Sequence, residues 1–375
     1  MRLLYIAPIS FVHDIFSSAW ISRGKALESK GWQVAFVIPG NRKMVIENYE
    51  NFKIFQIPRS PIIGIQGISW ERSLKYSLEK IIDEYDPDVM ISDWNGSSGV
   101  STVAKRRRVP WVFDDHSPPA DNSMMGRLQW WHYDKSWMKN SIEADRVVVL
   151  TPAQESFVRH RFGHEFQIIK CQSGVDLTLF TPIENKTDSP IRLVYHGSLT
   201  PERGVLDLIE VTERLIKDRF DVILRVFGSG PCLPQFQKMA ETSEHYEVFD
   251  KVPFQNVPQL LSDCHIGLLP WSNGPAFSTS SPIKLFEYAA SGLAVVGNDV
   301  ESNLPFADSE WFNVVDGRNP ATSMKDGIAD LISSGEIQSL GMLARSDAES
   351  RFSWDMVTEE LNNSLISLRE NMRNS

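Results

Sequence analysis

The chain of 375 residues has little cysteine and no long apolar run. Its three cysteines, Cys171, Cys232 and Cys264, are far apart and form no CxxC pair, which argues against a disulfide scaffold or a zinc ribbon. No segment reaches the ~20 apolar residues that a membrane-spanning helix needs. Residues 1–8 are too short for a signal h-region and lack a small-residue cleavage site. These absences predict a soluble cytoplasmic protein.

Positive charge is also scarce, since 38 Lys and Arg face 48 Asp and Glu for a net charge of −10. A general nucleic-acid binder should be basic, so the composition disfavours that class. Apolar residues at 42% and charged residues at 23% are typical of globular chains and exclude a disordered one. At roughly 150 residues per domain, the length predicts two domains or three.

Short apolar runs alternate with amphipathic stretches along the whole chain. The runs are β-branched or aromatic and often stop at Pro, Asp or Gly, which predicts strands. Two sets are predicted: 3–7, 34–39, 54–58, 89–92, 111–113 and 147–150, then 192–197, 222–228, 266–271, 294–297 and 312–315. Residues 70–85 have the apolar period of a helix. Strands that alternate with helices form parallel sheets covered on both faces, so we expect an α/β protein with two doubly wound domains.

The polar segment 183–190 separates the two sets and is predicted to be the linker, with domains at 1–187 and 188–352. Residues 353–371 are predicted to form one long amphipathic helix that packs back across the junction. Periodicity alone leaves open which domain this helix contacts.

Two glycine-containing turns follow predicted strands of the second set. In the first, Gly197-Ser198-Leu199-Thr200-Pro201-Glu202-Arg203-Gly204 is predicted to open a helix over 204–217, whose free amides and dipole suit a phosphate. Arg203 adds a bidentate guanidinium, although the turn could also be a solvated loop that stabilises the helix. The second turn contains Gly228 and Gly230, which allow close backbone approach to a ligand or simply a tight turn. Leu233 stands where GxGxxG requires a third glycine, which argues against a dinucleotide fingerprint.

The most informative segment is 281–296. Ser281 is predicted to be a helix N-cap, Pro282 the first helical residue and Gly292 the residue after the helix. Lys284 and Glu287 lie on one polar stripe of this helix. We interpret Glu287 as an acceptor for ribose hydroxyls and Lys284 as a diphosphate contact; the alternative is a surface ion pair.

The string Pro282-x-Lys284-Leu285-Phe286-Glu287-Tyr288 resembles the nucleotide-sugar motif of the GT4 family of retaining glycosyltransferases. Segments 144–151, 174–182, 196–204, 228–231 and 351–354 resemble other parts of that family, in the same order. The resemblance implies a GT-B fold, in which two Rossmann-like domains face a central cleft and helix 353–375 packs on the N-terminal domain. It also implies that 1–187 binds the acceptor and that 188–352 binds a nucleoside diphosphate sugar, with UDP or GDP as the nucleotide.

The resemblance further implies roles for individual residues. The catalytic residues would be His116, Arg203 and Lys284. Donor binding would involve Gly197, Ser198, Arg203, Gly228, Gly230, Thr279, Ser280, Ser281, Lys284, Leu285 and Glu287. His13, Asp14 and Asp115 would lie on the acceptor side. The chain departs from the family at Ser198, where many members have arginine, at Thr279, where many have glutamate, and in lacking a diglycine loop after the first strand.

We expect no metal and no cofactor, because Arg, Lys and helix amides can stabilise a leaving diphosphate without one. Asp86-Pro87-Asp88 spells DxD, the metal motif of the other main glycosyltransferase fold, but we interpret it as a helix stop. His160 and His164 are four residues apart, yet Gly163 interrupts the turn and no third ligand is near.

Residues 124–141 combine Trp130, Trp131 and Trp137 with several methionines, Arg127, Lys135 and Lys139, and a basic run lies at 105–108. Such a helix can lie at a membrane interface. We favour the alternative, in which the tryptophans pack inside the N-terminal domain, and keep peripheral association with the inner face of the cell membrane as the second hypothesis.

The sequence therefore predicts a metal-independent retaining glycosyltransferase, hexosyl or related, for polysaccharide or glycoconjugate biosynthesis. The acceptor would be a glycan, a lipid-linked molecule or a small molecule. The departures at Ser198 and Thr279 motivate an alternative, a catalytically degenerate nucleotide-binding scaffold or regulator of the same fold. A nicotinamide dehydrogenase is a third, weaker hypothesis, disfavoured by the missing GxGxxG.

Overall fold

The computed structural model describes residues 1–9, 15–40, 48–49, 51–62, 65–119, 124–163, 166–183, 186–187 and 189–373. It contains two compact units, one made of Met1–Gln172 with Trp354–Ser375 and the other of Ser173–Ser353. The sequence-based boundary at 187/188 lies later than this division. Val175 and Phe180 are the reason, because both are buried in the hydrophobic core of the second unit. The polar segment 183–190 is therefore not the point at which the chain changes units.

The first unit is built on a parallel sheet with helices between its strands. Its strands are β1 (Arg2–Ile6), β2 (Gln33–Gly40), β3 (Asn48–Tyr49), β4 (Phe52–Pro58), β5 (Val89–Asp93), β6 (Trp111–Asp115), β7 (Arg146–Val149) and β8 (Ile168–Lys170). Its helices are α1 (Ile15–Ser29), α2 (Gln66–Tyr85), α3 (Ser97–Arg107), α4 (Met124–Glu143), α5 (Pro152–Phe162), α13 (Trp354–Val357) and α14 (Glu359–Arg373). The strand order is β3-β4-β2-β1-β5-β6-β7-β8, and among the described strand pairs of this sheet only β3–β4 is antiparallel.

Burial explains why these strands read as unbroken apolar runs. Every residue of β5 and β6 is buried, as expected for a parallel sheet covered on both faces. The predicted apolar face of α2 is confirmed, since Trp70, Leu74 and Leu78 lie in the core of this unit.

The C-terminal segment belongs to the first unit, but the prediction of one continuous helix is wrong. The helix is interrupted at Thr358, whose buried hydroxyl donates to the carbonyl of Trp354 (2.8 Å). Such bonding to the preceding turn competes with regular helical geometry. Beyond the break, Asn362 accepts a hydrogen bond from the Trp32 indole (2.9 Å) and Arg369 pairs with Asp88 (2.9 Å). These contacts fix α14 on the first unit.

The second unit has the same plan. Its strands are β9 (Ile191–Ser198), β10 (Val222–Ser229), β11 (Tyr246–Phe249), β12 (Ile266–Leu269), β13 (Ala294–Asn298) and β14 (Phe312–Val315). Its helices are α6 (Asp207–Lys217), α7 (Leu233–Thr242), α8 (Val257–Leu261), α9 (Pro275–Ser278), α10 (Ile283–Ala290), α11 (Pro320–Ser334) and α12 (Ile337–Asp347). The strand order β11-β10-β9-β12-β13-β14 is that of a Rossmann fold, in which ligands bind at the carboxyl ends of the strands where the order reverses. Here that point lies between β9 and β12.

Two predicted helix starts are wrong. Pro201–Arg203 forms a 3₁₀ turn that ends at Gly204, whose φ of 66° is left-handed, so α6 begins only at Asp207. Ser281 does not cap α10, because Pro282 precedes the helix and the Ser281 hydroxyl accepts a hydrogen bond from the amide of Ser173 (3.0 Å). The predicted role of Gly292 after the helix is confirmed by its φ of 68°.

Candidate functional site

The two glycine turns of the second unit lie side by side. β9 and β10 pair in parallel to their last residues, so that Gly197 is the partner of Gly228 and Ser198 the partner of Ser229. Both turns therefore meet at the carboxyl edge of the sheet, next to the point where the strand order reverses. The sequence predicted each turn separately, and the strand register brings them together.

Glycine is favoured at both positions, at Gly228 by a close backbone contact and at Gly197 chiefly by its positive φ. A β-carbon on Gly228 would lie 1.8 Å from the carbonyl oxygen of Gly197. A β-carbon on Gly197 would lie 2.9 Å from Cε and 3.1 Å from Nζ of Lys284, and the φ of Gly197 is +108°. The bare backbone of Gly197 thus provides the space into which the amine of Lys284 packs. Gly230 follows one residue after Ser229 in the same turn.

Two cations converge at this edge. Arg203 lies in the 3₁₀ turn after β9, with its guanidinium 5.3 Å from the ring centre of Phe277. Lys284 lies in the first turn of α10. Burial, together with the positive charge of Arg203, lowers the pKa of Lys284 to about 7. Because like charges repel, the two side chains form a cationic cradle that is unfavourable until an anion joins it.

Glu287 lies one turn beyond Lys284 on α10 and is buried. One carboxylate oxygen is 3.2 Å from Nε2 of His196, a buried residue of β9. Burial lowers the pKa of His196, which favours the neutral ring. The sequence did not predict that His196 contacts Glu287. The available signal was strand alternation, because His196 and Ser198, two residues apart in β9, lie on the same face of the strand. The site thus combines two cations with one carboxylate.

Other predicted donor-binding residues make local contacts in the described structure. The hydroxyl of Thr279 donates a hydrogen bond to the carbonyl of Pro275 (2.6 Å). The hydroxyl of Ser280 donates one to the carbonyl of Phe277 (3.3 Å). Leu285 is fully buried in the hydrophobic core of the second unit. The leucine side chain therefore anchors α10 in that core.

The first unit contains the third predicted catalytic residue. His116 follows β6, and its ring stacks on Trp20 with 4.1 Å between centroids. Nε2 of His116 lies 2.9 Å from Oδ2 of Asp114. The same oxygen accepts hydrogen bonds from Arg23 (2.9 Å) and from the hydroxyl of Tyr5. The guanidinium of Arg23 therefore contacts the same carboxylate oxygen as the ring of His116.

Of the predicted acceptor-side residues, Asp115 is fully buried and points away from His116. Its Oδ2 accepts hydrogen bonds from the hydroxyl of Tyr133 (2.6 Å) and from the indole of Trp137 (3.0 Å). Burial raises the pKa of Asp115 to about 7. His13 and Asp14 lie outside the described residues. Strand alternation, which places Asp114 and His116 on one face and Asp115 on the other, is the sequence signal that separates the two aspartates.

Helix α4 divides its aromatic residues between two faces. Trp137 is buried in the core of the first unit, whereas Trp131 is exposed. Trp131 belongs to a row of exposed side chains at intervals of three and four, which we call the α4 outer face: Leu128, Trp131, Lys135, Met138 and Ile142. Nζ of Lys135 lies 4.0 Å from the ring centre of Trp131. The prediction that the tryptophans of 124–141 pack inside the first unit therefore holds for Trp137 and not for Trp131.

The DxD sequence occupies a helix end. Asp86 caps α2 in a left-handed conformation, and Asp88 accepts hydrogen bonds from the amide of Arg2 (2.7 Å) and from Arg369. The interpretation of a helix stop is confirmed. In the part of the chain that the structure describes, no three His, Cys, Asp or Glu side chains converge as metal ligands. No described helix is both long and apolar enough to cross a bilayer.

A cavity of about 790 Å³ lies at the other end of the second sheet. It is lined by residues that precede strands, among them Asp221 before β10 and His265 before β12. This is the amino edge, whereas Gly197 and Gly228 lie at the carboxyl edge. The cavity is therefore separate from the cationic cradle.

Comparisons with known proteins agree with this arrangement. Residues 22–179 match the model described as Glycosyltransferase Family 4, and residues 190–334 match the one described as Glycosyl transferases group 1. A search of curated proteins finds no match. Each half of the chain thus matches a glycosyltransferase model of its own.

Solved structures share the fold at low sequence identity. Sucrose-phosphate synthase from Thermosynechococcus elongatus superimposes with a TM-score of 0.78 at 14% identity, covering 100% of both chains. Anabaena Alr3699/HepE in complex with UDP gives 0.74 at 13% identity, covering 98% of this chain and 100% of the other. WaaG, a glycosyltransferase involved in lipopolysaccharide biosynthesis, gives 0.71 at 15% identity, covering 97% and 99%. These similarities show the GT-B fold.

Proposed function

Because this chain is a glycosyltransferase of the GT-B fold, of the group 1 and Family 4 type, we propose that it transfers a sugar from a nucleoside diphosphate donor with retention of anomeric configuration and without a metal. The donor we propose is a UDP-sugar, with a GDP-sugar as the alternative. UDP is favoured because Anabaena HepE, a structural neighbour, was solved with UDP and with UDP-glucose. The acceptor is a glycan, a lipid-linked molecule or a small molecule.

The observation that carries this proposal is the cationic cradle of Arg203 and Lys284. A diphosphate placed between the two cations replaces their repulsion by attraction. It also returns Lys284 to its charged form, because a neighbouring anion raises the pKa of an amine. A site whose positive charge increases when the anion binds suits a leaving group whose negative charge grows during the reaction.

Each residue then has a distinct task in the proposed reaction. Arg203 and Lys284 stabilise the departing diphosphate, and Glu287 accepts hydrogen bonds from the ribose hydroxyls. The bond from C1 of the sugar to the diphosphate oxygen breaks while the acceptor oxygen bonds to C1 on the same face. The proton of the acceptor hydroxyl passes to the departing phosphate oxygen.

A thermal-shift screen across nucleoside diphosphates and their sugars tests donor binding, since a ligand that binds only the folded state raises the melting temperature. We expect the largest shift from UDP or a UDP-sugar, and the same shift with EDTA present. NMR of the product formed from the best donor then reports the anomeric configuration. An inverted product would refute retention, and a shift that requires a divalent cation would refute metal independence.

The alternative function is a nucleotide-binding scaffold that has lost turnover. Ser198 and Thr279 motivate it, because many family members have charged residues at these positions. A scaffold would give the same thermal shift but would neither hydrolyse the donor nor transfer its sugar. Release of UDP above the level of an Arg203→Ala variant would exclude it.

We also propose that the protein works on the cytoplasmic side and associates with the membrane through the α4 outer face. Trp131, Met138 and Ile142 supply exposed apolar area, and Lys135 brings a cation to the same row. Aromatic and basic side chains on one helix face bind interfaces that contain anionic lipid. Because the whole chain has a net charge of −10, attraction to anionic lipid must come from a local patch that carries basic side chains.

Co-sedimentation with vesicles tests this association. We expect binding to vesicles of phosphatidylcholine with phosphatidylglycerol and little binding to phosphatidylcholine alone. Met138→Ser should weaken binding, whereas Met342→Ser, an exposed methionine of the second unit, should not. Equal retention on both lipids, or an equal loss in both variants, would contradict the proposal.

A further inference from the structure

The turn that carries Arg203 is held in place by another segment of the second unit. Pro201–Arg203 is a 3₁₀ turn of only three residues. So short a turn has poor internal hydrogen bonding, and its position depends on contacts from outside. The residues that follow β12, which we call the 270–277 segment, supply such contacts.

This segment contacts the backbone of the turn on both sides of Arg203. The hydroxyl of Ser272 donates a hydrogen bond to the carbonyl of Glu202 (2.5 Å). On the other side, the α-carbon of Gly204 lies close to the carbonyl oxygen of Pro270. A β-carbon on Gly204 would lie 2.1 Å from that oxygen. These contacts fix the backbone position from which the side chain of Arg203 extends.

The same segment also contacts the two cations of the cradle. The ring centre of Phe277 is 5.3 Å from the guanidinium of Arg203. The ring centre of Trp271 is 5.9 Å from Nζ of Lys284. Trp271 is itself fixed, because it is buried and its carbonyl accepts a hydrogen bond from the side-chain amide of Asn298 (3.0 Å). One segment therefore contacts both cations.

The turn needs such an anchor because the two cations repel each other. Burial is the main reason why the pKa of Lys284 is lowered to about 7, and the positive charge of Arg203 is the second. The same repulsion pushes Arg203 away from Lys284 when no anion is bound. The side chain of Ser272 is exposed, so its hydrogen bond, and not its packing, opposes this displacement.

We propose that Ser272 is a positioning residue for Arg203. Its hydrogen bond holds the turn in place and so keeps Arg203 at a fixed distance from Lys284. This inference rests on the proposed function, in which the two cations bind a diphosphate. Cations that are already held at the right spacing bind more tightly, because binding then requires no further ordering of the site.

The pKa of Lys284 in the ligand-free protein reports the distance to Arg203. NMR of lysine side chains labelled with ¹³C at Cε measures this pKa, and the signal of Lys284 is identified by its loss in Lys284→Met. The charged and titratable side chains around the amine are Arg203, Glu287, His196 and Tyr195. Of these, Arg203 alone belongs to the turn that Ser272 holds.

Ser272→Ala removes a hydroxyl from an exposed position, so the variant should fold. We expect the pKa of Lys284 to rise in this variant, part of the way to its value in Arg203→Met, which lacks the repelling charge. Ser272→Thr keeps the hydroxyl and should restore the wild-type pKa. Ser339→Ala is the matched control, because Ser339 is also exposed and donates to a backbone carbonyl, that of Glu336 (2.8 Å).

Two results of the titration would overturn the proposal. One is an equal pKa of Lys284 in wild type and in Ser272→Ala. The other is an equal rise in Ser272→Ala and Ser339→Ala, which would be a general effect of losing a surface hydroxyl. A pKa that does not change in Arg203→Met would overturn it as well, because Arg203 would then not lie beside the amine.

Calorimetry with UDP tests the consequence for binding. Ser272→Ala should weaken UDP binding about twofold to tenfold, as expected for the loss of one neutral hydrogen bond, and Ser272→Thr should restore it. Unchanged affinity in Ser272→Ala, or a loss that Ser272→Thr shares, would contradict the proposal. The two failures are separable, because the titration needs no ligand. If the pKa responds as expected but the wild type binds neither UDP nor GDP, the proposed function fails. If UDP binds but the pKa does not respond, only the present inference fails.

Discussion

The amine of Lys284 packs against the α-carbon of Gly197, with a distance of 3.1 Å from Nζ to the position that a β-carbon would occupy. Gly197→Ala should therefore displace Lys284 and weaken UDP binding in calorimetry by about tenfold or more, comparable to the loss of one charged hydrogen bond. Gly31→Ala is the matched control, because Gly31 also has a left-handed φ (+91°) but would meet no atom within 4 Å. Equal affinity in wild type and Gly197→Ala would remove this contact from the site.

Lys284 predicts a proton linkage. Its pKa of about 7 means that at pH 8 most of the amine is neutral, and a bound diphosphate should recharge it. We expect UDP-glucose binding to take up a proton and to weaken as pH rises above 7. The pyrophosphate of UDP-glucose does not titrate near neutrality, so calorimetry in buffers of different ionisation enthalpy isolates the protein's share. Proton uptake that persists in Lys284→Met would contradict this assignment.

Glu287 should contribute to nucleotide affinity. Glu287→Ala removes an acceptor for the ribose hydroxyls and should cost about 1.5–3 kcal/mol of binding free energy, as for other hydrogen bonds to charged groups. Glu301→Ala, which changes an exposed glutamate of the same unit, is the control. Unchanged affinity for UDP in the first variant would place Glu287 outside the site, as a partner of His196 alone.

The ion pair of Arg23 and Asp114 should be sensitive to the loss of either partner. Asp114→Ala leaves a buried guanidinium without its carboxylate and should lower the free energy of unfolding by about 3–5 kcal/mol. The double variant Arg23→Met, Asp114→Leu should lose less, because it leaves no buried charge unpaired. Urea denaturation measures both. Additive losses in the double variant would show that the two charges are not coupled.

The same pair predicts a pH dependence of stability. The pKa of Asp114 is lower in the folded chain than the ~3.9 of an unfolded aspartate, so its contribution is complete above pH 4. That contribution should be lost as the pH falls further towards the folded pKa. The melting temperature of the double variant Arg23→Met, Asp114→Leu should therefore fall less steeply below pH 4 than that of the wild type. An unchanged pH profile would argue against a depressed pKa.

Sequence patterns predicted the longer elements well and the shorter ones poorly. β1, β5 and β13 lie inside their sheets as apolar runs that are buried on both faces, so composition alone marks them. β8 and β11 were missed because they are short strands at the sheet edges, where an apolar run is not needed. The break at Thr358 could not be predicted, because it depends on the hydrogen bond from the Thr358 hydroxyl to the carbonyl of Trp354, and the sequence does not show which partner a hydroxyl takes.

By itself the sequence determined which residue types are available near each strand end: Gly197 at the end of β9 and Arg203 after it, Gly228 at the end of β10, and Lys284 with Glu287 on one helix stripe. These are local properties, set by the alternation of apolar runs with turns. Only the tertiary structure decided which of them meet, because the register of β9 with β10 and the packing of α10 join residues that are far apart in the chain. It also decided that Asp114, held by Arg23 and Tyr5, and not Asp115, supports His116, since a strand turns neighbouring side chains to opposite faces.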